Sequence, residues 1–247
     1  MSDALPVLVA RRVLRGDRRG SSWPVVVATD FGHYMTKLRG AAQGARALVS
    51  EIIVGEIAES IGLQVPERCV VELPPGISCD DPNDELRDLL DRSHGENVGF
   101  EFLEGARDLQ ASEASGVNPA WAARVLWLDA FVQNVDRTSR NTNIMVRRGK
   151  YWLIDHGVAL PFHHDWSAVR ETSPARAYDA SRHLFAWGRE GADAAGAGAS
   201  RTITRETLSA AVSRVPDSLL GDDDPERRRA AYVAYLVKRL RASPLLQ

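Results

Sequence analysis

Cysteine is scarce in this chain of 247 residues, which contains only Cys69 and Cys79. Neither belongs to a CxxC pair or to a cluster of cysteine and histidine, so the pattern excludes a disulfide framework and a cysteine-based zinc site. Long apolar runs are also lacking, because none approaches the roughly 18 residues of a membrane-spanning helix.

Charge of one sign is lacking too, since 31 Lys and Arg residues nearly balance 33 Asp and Glu residues, for a formal net charge of −2. Non-specific binders of nucleic acid or of membrane surfaces carry a basic excess, so we expect neither partner. A hydrophobic content of 44% and a charged content of 26% exclude disorder of the whole chain. We expect a cytoplasmic protein, and the sequence leaves its oligomeric state open.

Lysine is rare as well, because only Lys37, Lys150 and Lys238 stand among the 31 basic residues. This arginine bias, together with many alanines, is typical of a GC-rich bacterial genome. An ammonium and a guanidinium are not interchangeable in binding sites. A lysine that persists against the bias is therefore a candidate functional residue.

The first hundred residues are predicted to form strands with one long helix. Apolar residues recur at every fourth position from Val49 to Ile61, which is the stripe of an amphipathic helix over 45–61. Gly62 ends this helix, and a shorter helix is expected at 84–90. The predicted strands, rich in β-branched residues, are 5–14, 23–29, 33–38, 68–73 and 98–103.

The remainder of the chain is predicted to be mainly helical. Asn118 and Pro119 are suited to an N-cap and a first helical position, so they begin a helix that ends near Phe131. The segment 188–200 is rich in Gly and Ala, and we expect a mobile loop there. Further helices are predicted at 205–214 and 225–241, and short strands at 143–146 and 151–154.

A strand-rich half followed by a helical half indicates an α+β protein with two lobes. We place the first lobe at 1–104 and the second at 105–247, as two parts of one domain. No internal repeat suggests a different organisation.

The most informative segment combines a polar loop with a short hairpin. Asp136 lies five residues before Asn141 in the loop, and Asp155 follows the hairpin, two residues before Gly157. Phosphoryl transfer uses a carboxylate to orient the attacking hydroxyl and an oxygen pair to hold Mg²⁺ on the phosphates. Asp136 fits the first role. Asn141 and Asp155 fit the second, because Mg²⁺ binds few protein oxygens and keeps water and phosphate as its other ligands.

The loop and hairpin resemble a known family. The motif D-R-T-x-x-N-x-N over 136–143, followed by L-I-D-H-G over 153–157, resembles the catalytic and metal loops of the HipA-like kinases, and it is also similar to those of phosphoinositide-type lipid kinases. Upstream, the segment 50–67 resembles a HipA-family helix that ends in G-L-x-V-P-E. The resemblance covers roughly residues 5–160, and it implies a protein-kinase-like fold with ATP between the lobes.

The resemblance also implies a role for one of the rare lysines. Lys37 would hold the phosphates of ATP and pair with Glu51, which makes it a catalytic candidate beside Asp136 and Asn141. Glu56, on the same predicted helix, is the competing partner. Glu51 lies off the apolar stripe, so we expect it at the edge of the cleft rather than in the core.

Two further regions would contact ATP in a protein of this family. Glu101, Phe102 and Leu103 stand at the hinge position, whose backbone would meet adenine. The polar turn over 16–22 matches the position of the loop that covers the phosphates, although it has only two glycines and no GxGxxG motif. Its candidate phosphate contacts are Gly20, Ser21 and Ser22.

The sequence departs from the family pattern at two site positions. Thr138 stands where the family usually has histidine, and His156 stands where phenylalanine or tyrosine is commoner. Neither departure removes a carboxylate or the amide, so we expect the ligand geometry to survive. We also expect a short form without the extra N-terminal domain of HipA toxins.

The leading interpretation is a kinase that depends on ATP and Mg²⁺ and phosphorylates a Ser or Thr hydroxyl of a protein, by family analogy. One alternative is a kinase for a small molecule or a lipid. Another is a nucleotide-binding pseudokinase that acts through contact with a partner, which Thr138 favours.

Overall fold

The N-terminal part of the protein is built on a six-stranded sheet. The computed structural model describes residues 4–17, 23–221, 224–242 and 245–246. The strands of this sheet are β1 (Val7–Val9), β2 (Arg12–Gly16), β3 (Val25–Thr29), β4 (Gly32–Lys37), β5 (Arg68–Leu73) and β6 (Gly95–Glu101). They lie in the order β1-β5-β6-β4-β3-β2, and every neighbouring pair except β1 and β5 is antiparallel.

The sheet curls so far that its two edge strands follow each other in the chain. Only Ala10 and Arg11 separate β1 from β2, although these strands lie at opposite ends of the strand order. The N–H of Ala10 donates to the carbonyl of Glu72 on β5, while the N–H of Arg11 donates to the carbonyl of Ala28 on β3. The single strand predicted over 5–14 is wrong, because the backbone changes partners at this point.

The helix α1 (Gly44–Ser60) connects β4 to β5 and is buried on nearly all sides. It confirms the predicted helix over 45–61, with a shift of one residue at each end. All residues from Ala47 to Gly55 are buried, because the sheet covers one side and two C-terminal helices cover the other. These helices are α5 (Arg205–Ser213) and α6 (Asp217–Leu220).

Helices and a small sheet make up the rest of the described chain. The remaining α-helices are α2 (Asp84–Asp91), α3 (Pro119–Val132), α4 (Arg189–Thr202) and α7 (Pro225–Arg241). Asn118 caps α3 by accepting the N–H of Trp121, and Asp224 caps α7 by accepting the N–H of Arg227. The small antiparallel sheet contains β7 (Arg107–Asp108), β8 (Ile144–Arg147) and β9 (Lys150–Leu153).

The helix α4 corrects the mobile loop predicted over 188–200. Alanine is the strongest helix former, and the segment packs along α3. Gly196 lies directly against the indole of Trp127, where a Cβ atom would come within 2.4 Å of Nε1. The glycines that suggested a loop therefore permit close contact between two helices.

Two apolar cores fill the protein. The smaller one lies inside the curled sheet beneath α2, and Val13, Val27 and Leu86 are fully buried there. The larger one lies outside the sheet and joins α1 to the C-terminal helices. Within the described residues, no helix is both long enough and apolar enough to cross a membrane.

Candidate active site

A cavity of about 630 Å³ opens between the curled sheet, α1 and the loop that precedes β8. Its wall contains most of the predicted site residues. Those in the wall are Lys37, Glu51, Glu101, Phe102, Leu103, Asn141 and Asp155. Residues that lie more than a hundred positions apart in the chain therefore meet around one space.

Lys37 lies between two carboxylates at the end of β4. Its ammonium is 2.5 Å from Oε1 of Glu51 and 2.7 Å from Oδ1 of Asp155. Burial alone would lower the pKa of Lys37, but the two negative charges outweigh it and hold that pKa above its ordinary value. Burial likewise opposes ionisation of Glu51, yet the charge of Lys37 lowers its pKa to about 2. At neutral pH Lys37 and Glu51 are therefore both charged.

Glu51 is the partner of Lys37 in the structure, and Glu56 is not. Glu56 instead accepts hydrogen bonds from Arg68 and Arg214. The side chain of Glu51 is only 1% exposed, so the expected position at the cleft edge is wrong in part: Glu51 lines the cavity but lies within the core. It is stable there because Lys37 and the N–H of His156 both donate to Oε1.

The segment 155–157 turns sharply beside α1. Asp155 has a φ of 56°, in the left-handed region that costs energy for most side chains. His156 is buried, and its Nδ1 lies 3.5 Å from Oε2 of Glu51, so this departure from the family pattern puts an imidazole against the partner of Lys37. Gly157 packs closely against the start of α1, because a Cβ atom there would lie 2.9 Å from Oε1 of Gln43, the residue before the helix, and 3.3 Å from Cβ of Ala47.

Asp136 is held by two amides of its own loop. Nδ2 of Asn141 donates to Oδ2 of Asp136 at 2.7 Å, and Nδ2 of Asn143 donates to the same oxygen at 3.1 Å. Partial burial, and in smaller part the negative charge of Asp155, raise the pKa of Asp136. Asn141 and Asn143 line the cavity, whereas Asp136 is not in its wall and is joined to it through these two amides.

Thr138 has a clear structural role in this loop. Its hydroxyl accepts the N–H groups of Arg140 and Asn141, each at 3.3 Å. Its backbone exchanges hydrogen bonds with that of Asn141. Thr138 therefore closes the turn that presents Asn141, and the departure from histidine leaves the loop ordered.

The predicted hinge leads directly out of β6. The N–H of Glu101 donates to the carbonyl of Glu67, and its carboxylate lies 3.2 Å from Nη1 of Arg147 on β8. Phe102 and Leu103 continue the cavity wall. Gly20, Ser21 and Ser22 lie outside the described residues, so their phosphate contacts stay a prediction.

Three site features escaped the sequence reasoning. Asn143 contacts Asp136, His156 contacts Glu51, and Arg68 lines the cavity beside Gly55. Asn143 stands in the quoted motif and its φ of 49° suits asparagine, so the motif offered a signal. Arg68 offered no such signal, because nothing in the sequence of its strand shows that Gly55 on α1 leaves room for the guanidinium.

The comparisons with known proteins agree with this geometry. A model of the HipA-like kinase family matches residues 11–234. No curated protein matches the chain. The chain is similar in structure to a proinflammatory kinase, CtkA, of Helicobacter pylori, with a TM-score of 0.59 at 12% identity over 92% of each chain.

At that identity the likeness to CtkA establishes the fold, which is the two-lobed α+β fold of a kinase. The family match covers most of the chain, from β2 into α7. The chain therefore belongs to the HipA-like kinase family.

Proposed function

We propose that this protein is an ATP- and Mg²⁺-dependent phosphotransferase that acts on a Ser or Thr hydroxyl of a protein. One observation carries the proposal: a single cavity brings the Lys37–Glu51 pair, Asn141 and Asp155 together. The proposal includes the division into a lobe over 1–104 and a lobe over 105–247, with ATP between them.

The residues present fit Mg²⁺. Asn141 turns its amide nitrogen toward Asp136, so its carbonyl oxygen is available to a cation. The carboxylate of Asp155 is 37% exposed, and hard oxygens of these two kinds suit Mg²⁺. Bound there, Mg²⁺ would neutralise charge on the phosphates. Lys37 carries a single positive charge between two carboxylates, so the site has a net negative charge that favours a cation.

Asp136 is suited to receive a proton. Both loop amides donate to its Oδ2, and no donor from the described part of the chain meets its Oδ1. A raised pKa makes the carboxylate a better base. As the hydroxyl oxygen of the acceptor bonds to the γ-phosphorus, the bond to the leaving ADP oxygen breaks and the proton passes to Asp136.

A transfer assay tests the proposal. Purified protein is incubated with γ-labelled ATP, Mg²⁺ and a mixture of protein, small-alcohol and lipid acceptors, beside the Asp136→Asn variant. We expect label on Ser or Thr of protein in the wild type only, with nucleotide affinity unchanged in the variant, because Asp136 acts after ATP has bound.

The other outcomes separate the alternatives. Label on a small alcohol or a lipid would replace the protein acceptor. Mg²⁺-dependent ATP binding without any transfer would indicate a pseudokinase. Absence of nucleotide binding by calorimetry would overturn the proposal entirely.

A further inference from the structure

A buried polar cluster lies beneath the loop that carries Asp136. Its centre is Asp129 on α3, whose carboxylate has no exposed surface. It accepts hydrogen bonds from Nε of Arg137 at 2.6 Å, Nδ2 of Asn134 at 3.0 Å and Nε2 of His183 at 3.0 Å. None of these four residues lines the cavity, and all four are buried, so they are not placed to contact a nucleotide bound there.

The charges in this cluster balance. Arg137 and Asp129 are both completely buried and form one ion pair. Burial alone would raise the pKa of Asp129, but the charge of Arg137 and the hydrogen bond from His183 hold it well below its usual range. The N–H of Phe185 donates to Nδ1 of His183, so the ring proton lies on Nε2 and a neutral imidazole satisfies Asp129.

Arg137 connects the cluster to Asp136 through hydrogen bonds. While its Nε contacts Asp129, its Nη1 donates to the carbonyl of Asn143 at 2.5 Å. Asn143 has a φ of 49°, and its side chain donates to Oδ2 of Asp136. The guanidinium therefore holds Asn143 in the orientation that positions the carboxylate.

The cluster also ties this loop to a later segment of the chain. The N–H of Leu184 donates to the carbonyl of Arg137, and Thr138 and His183 form an antiparallel bridge. The hydroxyl of Tyr178 donates to the carbonyl of Asn134. The segment 178–184 thus forms a support for the loop.

Stability alone does not account for such a cluster. A buried ion pair is often no more stabilising than apolar residues of the same volume, because both charges lose their hydration. What it does provide is a fixed geometry. We propose that Asp129, Arg137 and His183 are positioning residues for phosphotransfer, which orient Asp136 through Asn143.

This inference rests on the proposed function, and Arg137→Lys tests it. Lysine keeps the charge near Asp129 but loses the fork that reaches the carbonyl of Asn143. We expect kcat to fall at least about tenfold, because small displacements of a reacting group are costly. KM for ATP and the calorimetric affinity for Mg²⁺–ATP should change less than about twofold.

Arg239→Lys is the matched control. Arg239 is also completely buried, and its guanidinium donates to carbonyls of Ala130, Phe131, Pro174 and Arg176, but it has no contact with the Asp136 loop. Both variants should lower the melting temperature, and only Arg137→Lys should lower kcat. Equal kcat values in the two variants would overturn the inference.

A rescue pair at His183 addresses the same point from the other segment. The amide of glutamine can donate a hydrogen bond near the position of Nε2, so the kcat of His183→Gln should stay close to that of the wild type. The kcat of His183→Ala should be much lower. If kcat falls equally in both variants, the hydrogen bond to Asp129 does not account for the effect, and the positioning role of His183 is refuted.

Hydrogen exchange separates this inference from the proposed function. In Arg137→Lys, amides of a peptide covering 134–146 should exchange faster, while those of α1 should not. If the wild type never transfers phosphate, the proposed function fails. In that case the exchange result alone decides whether Arg137 orders the loop. Unchanged protection of the amides over 134–146 in Arg137→Lys would refute that role.

Discussion

Lys37 fits between its two carboxylates only because an ammonium is compact. We expect Lys37→Arg to weaken Mg²⁺–ATP binding despite the conserved charge, because a planar guanidinium cannot occupy the space between Glu51 and Asp155 at the observed distances. Lys37→Met should weaken binding further, since it leaves Glu51 buried without its cation. Calorimetric titration with Mg²⁺–ATP measures both effects.

A lysine outside the site provides the control for this titration. Lys150 is exposed at the start of β9, so Lys150→Arg should bind nucleotide like the wild type. Wild-type affinity in Lys37→Arg would contradict the assigned role of Lys37.

Glu51 should make the free energy of unfolding depend on pH under acidic conditions. Its pKa is about 2 in the folded protein, against an ordinary value of 4.5. The stabilisation is complete above pH 4.5 and is lost as the pH falls toward 2, because the unfolded state then binds the extra proton. This one group contributes a slope of at most about 1.4 kcal/mol per pH unit.

Glu51→Gln tests this dependence. Denaturant unfolding between pH 2 and 6 should show a shallower loss of stability in the variant than in the wild type. Parallel curves would show that folding does not lower the pKa of Glu51.

At the scale of elements, α1 depends on a glycine that the sequence pattern did not single out. A Cβ atom on Gly55 would lie 2.7 Å from Nη1 of Arg68. That guanidinium cannot easily move, because it is buried and bonded to Glu56 and Glu59. We therefore expect Gly55→Ala to destabilise the fold by about 1–3 kcal/mol.

A second helical glycine gives the comparison. Gly198 lies in α4, where a Cβ atom would meet only Nη2 of Arg201 at 4.0 Å. Gly198→Ala should stabilise the protein by about 0.5–1 kcal/mol, because alanine restricts the unfolded chain. Urea unfolding of both variants measures the difference, and equal changes would contradict the close contact at Gly55.

Elements were predictable where local chemistry determines them. The N-cap of Asn118 and the periodicity of α1 both depend on neighbouring residues, and both elements were found within one residue. The segment 188–200 was predicted wrongly because its helix depends on contact with Trp127. The site motif around Asp136 was likewise visible in sequence, whereas the contact of Arg137 with Asp129 arises only in the folded chain.

For the whole molecule, the curling of the sheet could not be predicted from the residues. The alternation over 5–14 looks like one strand, and only the curled sheet shows that its two halves pair with β5 and with β3. The kinase fold itself was predictable because a few spaced polar residues identify it, although identity to CtkA is 12%.

The cavity wall combines residues of β4 and α1 with residues of the segment 139–156, so nucleotide should stabilise the molecule as one unit. At a concentration of Mg²⁺–ATP 100 times Kd, binding contributes about 2.7 kcal/mol, which corresponds to a rise in melting temperature of roughly 5–10 °C. Asp155→Asn should lose the part of this rise that depends on Mg²⁺, because Asp155 supplies the carboxylate ligand of the proposed metal pair.

Asp193→Asn, an exposed change on α4, should keep the full response. Thermal unfolding with ATP alone, with Mg²⁺ alone and with both separates the two contributions. If Asp155→Asn retains the Mg²⁺-dependent rise, the metal site lies elsewhere. The wild type could also melt in two steps, with nucleotide raising the melting temperature of only one of them. That result would show that the two lobes do not bind the nucleotide together, and it would contradict the proposed position of ATP between them.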